Sequence, residues 1–266
     1  LGVQSALLLD AASFYLIGWI LLTAGPLPQA EPEPGHLREQ VRAGLGYIRR
    51  HQTLRRLLTA QAAALVFFAV VIPIEVIYAK ETLGAGDAGY GLLLGSWGVG
   101  MVLGSVVFAT LRRAPLPVLL FFSTVAIGAG YLGMAGAQVL AVACAASVVG
   151  GAGNGVQWVA VVSAVQELTS STMQARVVGT LESIASATPG LGYVLGGVVA
   201  TQWSPRAAFV VAGVGVMAIV AISAVALGRN WPLEREKKRP GTVDAAEEIM
   251  VELIPAEALP SPDRRS

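Results

Sequence analysis

The chain has one cysteine, two histidines and few charges: Lys, Arg, Asp and Glu make up 13% of residues, against 55% that are hydrophobic. Cys144 alone cannot close an internal disulfide or supply a metal pair, and reads as a small buried hydrophobe. His36 and His51 are the only imidazoles, and no nucleophile has a base near it in sequence. Enzyme chemistry is left without a constellation, and no cofactor or metal is implied. Charge is scarcest in the middle, where Pro115 to Gln166 contains no Asp, Glu, Lys, Arg or His. Soluble domains carry about 25% charged residues. A charge-free run of this length crosses a bilayer twice at roughly 20 apolar residues per helix, with Gly133 to Gln138 as the turn between. Mean hydropathy of +0.66 agrees. A net charge of +1 gives no reason to expect nucleic acid, and the partner implied is the lipid bilayer.

Apolar runs bounded by charged or turn-rich breaks lie at about 4–25, 57–79, 89–111, 115–134, 138–165, 177–201 and 206–228. The expected fold is an all-α polytopic membrane protein with seven transmembrane helices. A membrane span occupies 1–25, a cytoplasmic loop with an amphipathic helix 26–56, a six-helix transmembrane half 57–228, and a disordered cytoplasmic tail 229–266. The chain begins at Leu1 without an initiator Met or a basic n-region, which excludes a signal peptide and points to the interior of a longer protein.

Lys and Arg placement sets the orientation, because cytoplasmic loops collect positive charge. One set of loops holds Arg38, Arg42, Arg49, Arg50, Arg55, Arg56, Arg112, Arg113, Arg176, Arg229, Arg235, Lys237, Lys238 and Arg239, and the alternate set only Lys80 and Arg206. The first span therefore starts outside, and the 26–56 loop and the C-terminus are cytoplasmic. Within that loop, after Pro26, Pro28, Pro32 and Pro34, residues 36–50 read as a helix with Leu37, Val41, Leu45 and Ile48 on one face. That face either enters the inner leaflet, with the arginines toward lipid phosphates, or packs on the cytoplasmic ends of the spans.

Small residues four apart mark close helix contacts: Gly91 with Gly95, Gly100 with Gly104, Gly151 with Gly155, and Gly192 with Gly196. Pro73 and Pro189 each remove a helix hydrogen bond inside a span and bend it. Three carboxylates fall within spans, Asp10, Glu75 and Glu182. Such groups are costly in lipid and usually face a wet path or carry a proton, although Glu75 and Glu182 lie near span ends and Asp10 near a helix start. Asn154, Gln157 and Trp158 offer polar and aromatic surface to a cavity, or hydrogen bonds between helices. Gly84, Gly86 and Gly89 spell G-x-G-x-x-G, but no strand precedes them, so they read as a turn rather than a nucleotide loop.

Several stretches resemble the C-terminal half of major facilitator superfamily exporters, in particular the subgroup of macrolide and enterobactin-type efflux proteins. They are Leu54–Leu58 leading into the span with Pro73, Leu83–Leu93, and Gly104–Leu111 ending at Arg112 and Arg113. Gly151, Gly153, Asn154 and Gly155 with Gln166, Glu167, Arg176 and Val177 resemble the tenth span and its following loop. Gly104 with Arg112 and Arg113 is similar to a degenerate copy of the loop motif between spans two and three, lacking its acidic residue and second glycine. Pro189, Gly190, Gly192, Gly196 and Gly197 resemble the pseudo-repeat counterpart of the antiporter motif.

The resemblance implies spans six to twelve of a twelve-span bundle, alternating access, and a small-molecule path between two halves, of which spans one to five would be the partner. It also implies residence in the bacterial plasma membrane. The functional expectation is a secondary active transporter, a proton-coupled antiporter exporting small amphipathic compounds such as drugs or siderophores. In that expectation Asp10 and Glu75 sense the ion, and Asn154, Gln157 and Trp158 line the cavity. A membrane scaffold recruiting cytoplasmic partners is the alternative.

Overall fold

The computed structural model describes residues 3–23, 37–111 and 114–228, and divides into two compact units, Leu1–Leu37 and Arg38–Ser266. The first holds α1 (Val3–Thr23), whose side chains are largely exposed. Every described element is helical. The second unit holds α2 (Leu37–Arg50), α3 (Gln52–Ala69), the short α4 (Glu75–Ile77) running into a π-turn (Tyr78–Thr82), α5 (Gly86–Thr110), α6 (Leu116–Gly136) and α7 (Leu140–Leu168). A 3₁₀ turn (Ser171–Met173), α8 (Gln174–Ala187), α9 (Pro189–Gln202) and α10 (Pro205–Gly228) follow. The expected tail at 229–266, the prolines of the loop, and Arg112 and Arg113 lie outside the described residues.

Five stretches among the described residues are long and apolar enough to cross a membrane: Gly86–Thr110, Leu116–Gly136, Leu140–Leu168, Ser171–Gln202 and Pro205–Ser223. They coincide with the last five runs read from the sequence. The first run appears as the shorter apolar stretch Leu7–Thr23. The second, expected as one kinked span, is broken outright: α3 ends at Ala69, Val70–Ile74 form turns, and a new helix opens at Glu75. Pro73 has no N–H to continue the ladder, and Val71 takes over as acceptor for the amides of both Ile74 (2.8 Å) and Glu75 (2.9 Å). Pro189 acts more gently. Thr188 keeps helical dihedrals and its amide reaches the Ile184 carbonyl at 3.0 Å, so α8 and α9 stay nearly continuous.

Glycine decides which helices touch. A Cβ on Gly100 or Gly104 would strike the α7 backbone at Val148 and Ala152, and one on Gly151 or Gly155 would strike the carbonyls of Trp97 and Met101. The two glycine pairs therefore interlock α5 with α7 where lipid supplies no hydrophobic drive. Gly192 and Gly196 press in the same way on Val66, Ala69 and Val70 of α3. Gly91 and Gly95 differ from the expectation: among the described residues nothing lies near either, nor near Gly190 or Gly197. The spacing rule also missed a set of contacts made across helices. Gly130 of α6 backs onto Gly150 of α7, and Gly128 of α6 meets Gly213 and Met217 of α10.

At Gly84 and Gly86 the reason for glycine is the backbone, with φ of 62° and 63°, a region other residues rarely adopt. The G-x-G-x-x-G run is thus a tight turn into α5. The exposed ion pair Lys80–Asp87 spans it.

The helix expected at 36–50 forms as α2. Its apolar stripe divides: Ile48 is buried with Leu54, Leu57, Val165 and Leu181, and the Tyr47 hydroxyl accepts the Ser170 N–H at 3.2 Å, whereas Val41 and Leu45 are exposed beside the exposed Arg38, Arg42 and Arg49. One end of the helix packs on the bundle and the other presents an open apolar edge.

Candidate functional site

At the end of the second unit opposite α2, the last carbonyls of α6 lack helical partners. Tyr78 donates its hydroxyl to the Met134 carbonyl, and Arg206, in the first turn of α10, donates to that of Ala135 at 2.7 Å. Tyr78 lies against Phe209 with ring centroids 4.6 Å apart, and Arg206 sits over the Tyr78 ring at 5.9 Å. A step deeper, Trp97 stacks on Tyr131 (5.4 Å) with Phe68 against both, and the Tyr131 hydroxyl reaches the Phe68 carbonyl at 3.4 Å. This aromatic layer joins α3, α5, α6 and α10 and closes that end.

On the α2 side of the layer the helices part. A cavity of about 320 Å³ lies among α3, α6, α7 and α10, walled by Leu57, Ala64, Leu120, Phe121, Val161 and Val220 among others, with Gln61, Thr124, Gln157 and Ser223 as its polar groups. A smaller cavity of about 40 Å³ adjoins it, bounded by Phe68, Asn154 and Trp158. Gln61, Ala64 and Gln157 line both, so the two spaces are neighbours across a common wall. The Gln157 amide donates to the Thr124 hydroxyl at 3.2 Å, and Thr124 in turn donates to the Leu120 carbonyl at 2.7 Å. Gln61 is only 5% exposed. None of the described residues lining either space is charged.

The fold brings together Asn154, Gln157 and Trp158 from one run of α7, and adds Gln61 and Thr124, which sequence reasoning did not single out. The carboxylates are elsewhere. Glu75 is half-buried as the first residue after the break in α3, near Tyr131 of the aromatic layer, and lines neither cavity. Glu182 is exposed on α8, and Asp10 is exposed on α1, in the other unit, where Ser13 bonds back to its carbonyl at 2.7 Å. Pro73 stands in the break, Pro189 opens α9, and Gly104, Gly192 and Gly196 are contact glycines. Among the described residues no group of His, Cys, Asp and Glu could hold a metal ion.

The arrangement is a polytopic helical bundle with one broken helix and an uncharged cavity. It agrees with a match of the family model for the Major Facilitator Superfamily to residues 57–261. The chain belongs to the major facilitator superfamily. No curated protein and no solved structure matches it. As a superfamily member it is a multi-pass membrane protein of a family of secondary transporters rather than enzymes.

Proposed function

We propose that this chain serves proton-coupled export of small amphipathic compounds, such as drugs or siderophores, across the plasma membrane by alternating access. The observation that carries this reading is the pair of adjoining cavities, whose apolar walls and amide groups suit a compound with an apolar body and a few hydrogen-bonding groups. Asn154, Gln157 and Trp158 contact the cargo, and Gln61 and Thr124 join them. Glu75 is the best-placed coupling carboxylate: it follows a discontinuity in a membrane helix, the kind of place where transporters keep ion-responsive groups. Asp10 and Glu182 are weaker entries in the same role, since both are exposed.

The distribution of Lys and Arg supports a cytoplasmic position for α2 and the C-terminus. In the superfamily's architecture, a second bundle of spans completes the transport path. A static scaffold has no use for a polar-floored void within the membrane.

The test is efflux of a panel of fluorescent amphipathic dyes from cells expressing the protein in its complete reading frame, with and without a protonophore. Export that stops with the protonophore, and falls at least tenfold in Glu75→Gln at equal expression, is expected. Export indifferent to both would sink proton coupling through Glu75, and absence of any dye movement would sink the cargo class.

A further inference from the structure

We infer that the larger cavity opens sideways and is a binding site, complete within this one bundle, for an uncharged amphipath entering from the bilayer between α6 and α10. It takes up the space that the transport reading uses and rests on that reading for its biological purpose. Binding itself needs no gradient.

Glycines hold α6 and α10 together where Gly128 meets Gly213. Toward α2 the same two helices become opposite walls of the cavity, α6 through Phe121 and Phe122 and α10 through Ile219 and Val220. Phe121 and Phe122 are 40% and 65% exposed, so the mouth is on the outer surface of the bundle. Both helices are of membrane-crossing length and hydropathy, and Phe121 and Val220 lie inside their apolar stretches. On this inference the mouth faces acyl chains rather than water.

The floor is what asks for a ligand. Gln61 is nine-tenths buried and lines both cavities, yet among the described residues no group hydrogen-bonds its side chain. A primary amide brings two donors and an acceptor, and leaving them unmet in an apolar site is costly. Gln157 is occupied on its nitrogen by Thr124. Because no described lining residue is charged, an ammonium or carboxylate head would be buried without a counter-ion and is disfavoured. An amide, ester or hydroxyl head meets the amides on equal terms, with one apolar chain running back to Phe121 and Phe122. The volume of about 320 Å³ falls at the lower edge of small-molecule sites, roughly 300–1,000 Å³, which limits the occupant to a single chain.

The experiment uses the purified chain in phosphatidylcholine nanodiscs and a monoacylglycerol with a diazirine in its chain, alongside an alkylammonium probe of the same chain length. Photolabelling by the glycerol probe is expected on Pro117–Thr124 or Ile219–Ser223, saturable and displaced by unlabelled monoacylglycerol. Gln61→Leu, close in volume, should reduce it at least fivefold. Ala60→Phe, which leaves Gln61 in place and fills the cavity, should do the same and covers the event that Gln61→Leu fails to fold. The ammonium probe should label these segments no more than it labels the exposed face of α9. Equal labelling of cavity and α9 by the glycerol probe, indifference to both substitutions, or equal labelling by the two probes would each overturn the site. A resident lipid and a transported compound share this chemistry. The former is recovered by solvent extraction of wild type but not of Gln61→Leu, the latter leaves the extract empty while the probe still saturates, and either result upholds the site. Failure to bind and failure to export are separate readouts.

Discussion

α7 has two unlike sides. Against α5 its Gly151 and Gly155 sit so close to the Trp97 and Met101 carbonyls that no methyl group fits, whereas Asn154, Gln157 and Val161 look onto empty space shared with α3, α6 and α10. One helix carries a joint and a binding wall back to back. In lipid the joint has to come from backbone proximity, since burying apolar surface gains nothing there. The cavity is the converse: protein interiors are normally filled, so a void walled by large side chains and floored by amides is a feature kept for an occupant. The difference teaches that the paired glycines of α5 and α7 mark where these helices stay together, while Gln61 and Gln157 face the space where their neighbours part.

Substitutions along these two sides should behave oppositely, and the largest effect is expected at the joint. Gly155→Leu drives a side chain into backbone that cannot swing aside, so its cost should exceed the ~1–3 kcal/mol of ordinary overpacking. Loss of the monodisperse species on size-exclusion chromatography in detergent is the expected result. Gly95→Leu, with open space around it, should elute as wild type. Similar behaviour of the two variants would break the comparison.

A middle-sized effect is expected at the aromatic layer. Tyr78→Phe keeps the ring against Phe209 but removes one of the two donors to the Met134 carbonyl, leaving the Ala137 N–H at 3.1 Å, and should lower stability by about 1 kcal/mol, read as a drop in Tm of a few degrees. An unchanged Tm would mean that the opposite end is closed by ring packing alone. The smallest change belongs to the cavity wall. Gln157→Leu removes the bond to Thr124, and such bonds in membrane bundles average about 0.6 kcal/mol, so Tm should scarcely move while glycerol-probe labelling falls several-fold. A large loss of stability instead would reassign Gln157 from binding wall to joint.

How much of this was legible beforehand follows from what each feature leaves in sequence. The interlock of α5 and α7 was legible because both partners carry glycines four apart. The contact of Gly130 with Gly150, and of Gly128 with Gly213, is made between glycines on different helices and leaves no spacing within either. Pro73 announced a bend, but that the helix would stop at Ala69 and restart at Glu75 depends on which carbonyls the neighbouring helices cover, and no local pattern records that. The polar run Asn154, Gln157, Trp158 was legible as cavity surface or as hydrogen bonds between helices, and Gln157 does both, lining the two spaces and bonding to Thr124. Gln61 was not: a single amide within Leu57–Ala64 breaks no hydropathy pattern, and its importance arises only where α6 and α10 separate beside it. Arg206, read only as a loop charge, turns inward to cap α6.

The contact of Gly196 with Val70 has a consequence for motion. Val70 is the residue at which α3 stops being a helix, and Gly196 lies directly on its carbonyl, with Gly192 on Val66 and Ala69 just before it. α9 itself begins at a proline bend, after Thr188. The broken α3 and the nearly continuous α8 and α9 thus meet at one fulcrum, and the length of chain beyond the break in α3 cannot tilt without taking α9 along as its lever arm. Spin labels placed at Ile72 and Leu195 should therefore keep a constant separation through whatever rearrangement the bundle undergoes, even as both move against α6.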